Sequence, residues 1–277
     1  MDMRQKEKRI IRVFPRRTSF TPVDDYAFVG APPMIRPDAD EIRVSCTFTW
    51  DIEQAKKLAQ AWGQYYHTQV GGPALDDPGN SFVPGMYIKA GVTFTSRGCN
   101  NQCPWCLAPK REGRLREIVD FAGGNIIQDN NFLQCNRSHT DKVFQMLRSQ
   151  RHIGFLGGLD ARLLKWKDAE ELRSLNIYQL FFACDTKASL TALRKAGELL
   201  KGLDHRKLRC YVLLAYNGQT ISESQEHLEN VWQAGFMPHA QLYQPPDRYI
   251  DYPIEWRHLQ RTWCRPAIMQ TIHNERI

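Results

Sequence analysis

From residue 92 onward, short apolar runs of strand length alternate six times with segments of helical period. That alternation is the pattern of consecutive β/α units, which build a parallel sheet joined by right-handed crossovers. The strand-like runs are 92–95, 125–128, 153–156, 177–183, 208–215 and 238–243, the fifth so continuously apolar that burial on both faces is expected. Between them a short helix is expected around 115–121, and Thr140 is placed to cap a helix with Val143, Phe144 and Leu147 on one face. Later helices present Ala169, Leu172 and Leu175, then Leu190, Leu193 and Leu200. Ser222-Glu223-Ser224-Gln225 reads as a capping box opening a helix through Leu228, Val231 and Trp232, with Gly235 near its end. Six units are fewer than the eight of a closed barrel. The expectation is a core at 91–245, curled into a barrel or partial barrel with its chemistry at the C-terminal strand ends, and a helical extension at 246–277.

Residues 1–90 read as a separate small α/β region. Residues 41–48 have strand character, Asp51 with Gln54 marks a helix start, and Ile52, Ala55, Leu58, Ala59, Trp62 and Tyr65 or Tyr66 form one apolar face. Residues 67–73 give a second strand ending in a turn. Ahead of this βαβ piece lie Arg4, Lys6, Lys8, Arg9, Arg12, Arg16 and Arg17, which supply much of the local excess in a net charge of +7. They suit either a solvated terminal arm or contacts to nucleic-acid phosphates.

Between the first strand and the rest sits Cys99-Asn100-Asn101-Gln102-Cys103-Pro104-Trp105-Cys106. Three thiolates at this spacing suit three corners of an iron–sulfur cluster with one iron left open. A zinc site would need a fourth ligand, and the next cysteine or histidine after Cys106 is Cys135. A disulfide framework is disfavoured: 8 cysteines are spread over 277 residues, and the charged start of the sequence is unlike a signal peptide.

With C-x3-C-x2-C and an aromatic residue before the last cysteine, the loop resembles the signature of the radical S-adenosylmethionine (radical SAM) enzymes. The resemblance spans about residues 85–245. It implies an α/β fold, a partial (βα)6 TIM-like barrel preceded here by a small N-terminal α/β, truncated Rossmann-like region. It also implies one 4Fe-4S cluster on Cys99, Cys103 and Cys106, whose open iron binds S-adenosyl-L-methionine (SAM). The N-terminal region is similar to the domain that precedes the barrel in cobalamin-dependent radical SAM enzymes and methylthiotransferases. No D-x-H-x-x-G motif is present and Cys46 stands alone there, so neither cobalamin nor a second cluster is expected.

The resemblance also suggests where SAM would be held. Trp105 would pack beside the cluster and the adenine, or simply shield the cluster from water. Asp129 and Asn130, with Asn131 as the alternative, could accept from the SAM ammonium, although Asp and Asn also mark turns. Arg162 could grip the SAM carboxylate with Asp160 orienting it, or the two could form a local ion pair. Asp185 could accept from the ribose or the amino group, or cap a helix. Tyr216-Asn217-Gly218 would lie near the adenine. No catalytic residue is identified beyond the cofactors. Cys184 and Cys135, near strand ends, are candidate thiols, and buried small hydrophobes are the alternative. His139 could relay a proton or merely start a helix. Residues 256–266 could cover a sheet edge or contact a polyanion.

The expected activity is reductive SAM cleavage followed by hydrogen abstraction from a substrate, a nucleic-acid base or nucleotide. The alternatives are a peptide- or protein-modifying radical SAM enzyme, or a non-enzymatic zinc- or cluster-binding nucleic-acid module. The basic run Lys110-Arg111-Glu112-Gly113-Arg114-Leu115-Arg116 could steer an anionic substrate. Partners would include an electron donor of the flavodoxin or ferredoxin type. With no run of about 18 apolar residues, no membrane span is expected, and reduced cysteines imply the cytoplasm.

Overall fold

A computed structural model describes residues 8–75 and 86–274. The chain divides into two compact units, one formed by residues 1–92 with 246–248, the other by 93–245 with 249–277.

The first unit is a four-stranded parallel sheet, ordered β2-β1-β3-β4, from β1 (Ile10–Phe14), β2 (Ala27–Val29), β3 (Glu41–Ser45) and β4 (Thr68–Gly71). Helix α1 (Ile52–Gly63) joins β3 to β4 and turns Ala55, Leu58 and Trp62 onto Ile11, Val13, Ile42 and Val44. The Trp62 indole donates to Gly30 O at 3.0 Å, so its one polar atom is satisfied in the core.

This unit corrects two expectations. From Arg9 onward the basic N-terminus is no solvated arm: Ile11 and Val13 are fully buried, Arg12 pairs with Asp24, and Arg9 binds Asp38 and Asp40. The surrounding arginines hid a strand, Ile10–Phe14, that carries the paired Arg12 among four apolar residues. Arg4 and Lys6 lie outside the described residues. Asp51 does not cap α1 with its side chain; it accepts from Arg16 Nε at 2.7 Å.

The second unit contains β5 (Val92–Thr93, straddling the boundary), β6 (Ser96–Arg97), α2 (Ala108–Glu112), β7 (Arg116–Glu117), β8 (Ile126–Ile127) and α3 (Arg137–Leu147). It continues through β9 (Ile153–Asp160), α4 (Trp166–Ser174), β10 (Ile177–Ala183), α5 (Leu190–Leu199), β11 (Leu208–Leu214), α6 (Ile221–Gln233) and β12 (Met237–Leu242). Two helices, α7 (Ile254–Cys264) and α8 (Pro266–Asn274), follow. The main sheet runs β5-β8-β9-β10-β11-β12, so spatial order is chain order, and β8 through β12 pair in parallel. The fold is mixed α/β with parallel sheets. Strands β5 and β12 are the two edges of that sheet, and among the described residues no barrel closes.

The core of this unit is built from Leu180, Phe182, Cys184, Cys210, Val212 and Leu214 of the sheet with Val143, Leu172, Leu193 and Val231 of the helices. β11 is not apolar on both faces. Leu208, Cys210, Val212 and Leu214 are buried in the core, whereas the alternate positions are Arg209, whose Nε donates to Met237 O at 3.3 Å, and the half-buried Tyr211 and Leu213. On the remaining edge, α7 buries Leu259 and Trp263, and the Trp263 indole donates to Gln225 on α6.

Four local expectations are corrected. Residues 115–121 form no helix; β7 pairs antiparallel with β6, closing a hairpin around the cysteine loop. α3 starts earlier, capped by Asn136, which accepts from His139 N at 2.9 Å, while Thr140 sits inside the first turn. The capping box of α6 is Thr220 with Glu223 rather than Ser222 with Gln225. β9 extends to Asp160, with an irregular register against β10 where Gly157 and Gly158 lie.

Candidate functional site

The cysteine loop leaves β6 and returns at β7, and every neighbouring strand end holds it. At its root, Asp129 is buried and accepts from Thr95 N and Thr95 Oγ1, both at 2.6 Å, and from Ser96 Oγ at 2.8 Å. Burial pushes this carboxyl up, and those hydrogen bonds only partly offset it. Next to it, Asn130 Oδ1 accepts from Gly98 N at 2.9 Å. Gly98 takes φ +82°, and a Cβ there would fall 2.3 Å from Arg114 O, so the turn requires glycine. Across the sheet, a Cβ on Gly157 would fall 1.9 Å from Asp129 O, which shows how closely β9 approaches this root.

Further along, Asn100 N donates to Gln134 Oε1 at 2.8 Å, Gln134 Nε2 donates back to Asn101 Oδ1 at 3.1 Å, and Asn100 Oδ1 accepts from Leu115 N at 3.2 Å. Asn101 Nδ2 donates to Asp160 Oδ2 at 3.0 Å, at the end of β9. Trp105 Nε1 donates to Asp185 Oδ2 at 3.2 Å, just past β10, and the other oxygen of Asp185 accepts from Leu213 N of β11 at 3.0 Å. Trp105 also meets the Tyr216 ring edge-on at 5.3 Å, and Tyr216 meets Tyr243 at 4.9 Å. The loop is therefore anchored at the C-terminal ends of β8, β9 and β10.

Cys99, Cys103 and Cys106 are half-buried free thiols. Burial pushes Cys103 up first, and Cys106 and Cys99 push it further; Cys106 is raised by burial and again by Cys99. The three thiols thus lie within electrostatic reach of one another. Among the described residues no three Cys, His, Asp or Glu side chains are arranged as a ready metal-holding group. Asn131 Nδ2 lies 4.0 Å from Cys99 Sγ, and Asn131 Oδ1, like Gln128 Oε1, is buried without a partner. Two cavities flank the loop. One of about 560 Å³ is lined by Asn100, Asn101, Cys135, Asp160, Arg162 and Lys165, and one of about 420 Å³ by Cys99, Asn100, Gln102, Pro109, Gly113 and Arg114.

Of the residues singled out from sequence, Trp105, Asn130, Asn131, Asp160, Arg162 and Asp185 gather around the thiols or the larger cavity. Asp129 does not reach either, because its oxygens are committed to Thr95 and Ser96. Arg162 donates Nε and Nη2 to Asp160 at 2.8 and 2.6 Å, the local ion pair, and its charge also reaches Cys99 and Cys103. Burial raises Asp160, but hydrogen bonds from Arg162 and Asn101 outweigh that and hold it below its usual range. Burial pushes Asp185 up to about 6.

The two candidate catalytic thiols separate. Cys135 lines the larger cavity and is pushed up to about 12 by burial. Cys184 points away from the loop into the core, 3.3 Å from Ser189 Oγ, while its carbonyl accepts from His227 Nε2 at 2.8 Å. A hydrogen bond with Cys210 is the main cause that lowers it to about 5, but its burial in the core withholds it from substrate. His139 is buried under Phe121 on α3, with Nε2 unpartnered. Sequence reasoning missed Asn100, Asn101 and Gln134. The side-chain amides of Asn101 and Gln134 bridge positions more than thirty residues apart and that of Asn100 reaches fifteen residues on to Leu115, and no local pattern announces such bridges.

No protein-family model matches the chain, and no curated protein matches it either.

Proposed function

We propose that this chain is a radical SAM enzyme in which Cys99, Cys103 and Cys106 hold a 4Fe–4S cluster. One observation carries the proposal: three half-buried thiols share one loop that Asn130, Asp160 and Asp185, from three successive strand ends, hold in place. In open parallel sheets ligands gather at that end. The donor set fits, since soft thiolates suit iron–sulfur centres and three of them leave one iron free. The buried, unpartnered Asn131 Oδ1 beside Cys99 fits an ammonium donor, as a SAM amino group would provide. When bound, the cluster and SAM supply one-electron cleavage of the sulfonium to methionine and a 5′-deoxyadenosyl radical, which abstracts hydrogen.

The protein's own part is to orient and to exclude water. Trp105 covers the loop from the β10 side, fixed by Asp185. Arg162, already neutralised by Asp160, offers its outer guanidinium edge to a carboxylate in the larger cavity. Cys135 stays a protonated thiol there and contributes bulk rather than a nucleophile. Strands laid in chain order with crossovers of one hand put the helices on one face and let the sheet curl about the other, which supports a partial barrel. A nucleotide-like substrate accords with the net charge of +7. A flavodoxin- or ferredoxin-type donor in a reducing compartment would supply the electron.

Anaerobic reconstitution tests this directly. A brown protein absorbing at about 400 nm, with about four irons per chain, should form 5′-deoxyadenosine from SAM and dithionite. Stoichiometric zinc with no SAM turnover would refute it.

A further inference from the structure

On the side of the cysteine loop facing α2, the smaller cavity brings Cys99 together with Arg114. Residues 108–116 carry four cations, Lys110, Arg111, Arg114 and Arg116, against one carboxylate, Glu112. Glu112 is already engaged by Arg97 at 2.9 Å. Lys110, Arg114 and Arg116 are exposed, and among the described residues neither Lys110 nor Arg114 has a carboxylate partner. The larger cavity, by contrast, meets Asp160, Arg162 and Lys165 at the strand ends. The loop thus has a strand-end side with a neutralised arginine and an α2 side where the exposed Lys110 and Arg114 lie near a thiol.

We propose that the α2 side, centred on Lys110, Arg114 and Arg116, is the docking surface for an acidic one-electron donor protein. This rests on the cluster reading above. Exposed like charges around an edge of the site steer an oppositely charged partner and orient it, and electron-transfer encounters of this kind need only a small interface. In the transfer one electron leaves the reduced donor and enters the cluster on the three thiolates. No bond forms between the proteins. Bound SAM would be the final acceptor, one C–S bond of its sulfonium parting with that electron into methionine and the adenosyl radical. A nucleic acid suits this surface less well. Single strands bind on aromatic platforms along a cationic groove, and the one aromatic residue between Gly98 and Glu117 is Trp105, held by Asp185.

The test uses the reconstituted protein, a reduced acidic flavodoxin as the probe, and the double variant Lys110→Glu with Arg114→Glu. Calorimetric titration should show flavodoxin binding weakened at least tenfold, and flavodoxin-driven 5′-deoxyadenosine formation should fall in step. Iron content and the dithionite-driven rate should stay within about twofold of wild type. Binding to the wild type should itself weaken about tenfold between low and physiological salt, which tests the surface even if the reversal variant loses iron. Unchanged flavodoxin affinity in the variant, salt-independent binding, or loss of affinity for a single-stranded RNA oligonucleotide alone would each overturn the assignment. Absence of dithionite-driven SAM cleavage in the wild type would instead refute the cluster reading, and the calorimetry would still report on the surface.

Discussion

The indole of Trp105 donates to Asp185 across eighty residues of sequence, and the same carboxylate accepts from Leu213 N, so one side chain joins the cysteine loop to β10 and β11. An amide at this position offers one acceptor where the carboxylate offers two, leaving Trp105 Nε1–H or Leu213 N–H unpaired. Asp185→Asn should therefore cost about 1–3 kcal/mol in urea unfolding. Trp105→Phe removes the same bond, so the double variant should be more stable than additivity predicts by about 1 kcal/mol. Strict additivity would mean that the bond does not form.

The cysteines should divide by position. Serine at Cys99, Cys103 or Cys106 should each reduce reconstituted iron from about four to less than about one per chain and abolish 5′-deoxyadenosine formation. Cys135→Ser and Cys184→Ser should keep their iron. Cys184→Ser places a hydroxyl in the core near Ser189 and should cost only about 1–2 kcal/mol. Iron loss in the Cys184 variant equal to that of the loop variants would contradict the division.

Close backbone approach makes Gly157 irreplaceable. A Cβ there would lie 1.9 Å from Asp129 O, so Gly157→Ala should destabilise by more than about 3 kcal/mol or give insoluble protein. Gly123→Ala, where a Cβ meets nothing within 4 Å, should fall within about 1 kcal/mol of wild type. Equal thermal midpoints for the two variants would show that β9 does not approach Asp129 this closely.

His239 gives an acid-side signature. Burial, helped by the Arg209 guanidinium, lowers it from an ordinary 6.5 to about 4. Between those values the unfolded chain binds the proton and the folded chain does not, so its stabilisation is complete above about 6.5 and is lost as pH falls toward 4. The wild-type denaturation midpoint should decline over that window more steeply than that of His239→Gln. Parallel declines would exclude the imidazole as a source.

The strands from β8 to β12 and the helices between them were readable because a helix must show one apolar stripe and a buried strand a short apolar run, and both are local. β10 fell where the pattern put it, at 177–183. The β6–β7 hairpin was not readable, since strands of two residues have no period. β1 was masked by arginines whose acidic partners, Asp24, Asp38 and Asp40, lie at least a dozen residues away.

The same division runs through the site. Sequence alone determined that three thiols share one loop and that a parallel series of strands follows it, because spacing and periodicity are properties of neighbouring residues. Tertiary structure decided which polar residues hold that loop. It committed Asp129 to Thr95 and Ser96, turned Cys184 into the core, and brought Asn101, Asp160, Trp105 and Asp185 together. Those outcomes depend on which strand ends become adjacent once the sheet forms, and adjacent residues of one strand must point to opposite faces. Cys184 and Asp185 are consecutive residues just past the end of β10, where the chain sends one to the core and the other to the loop.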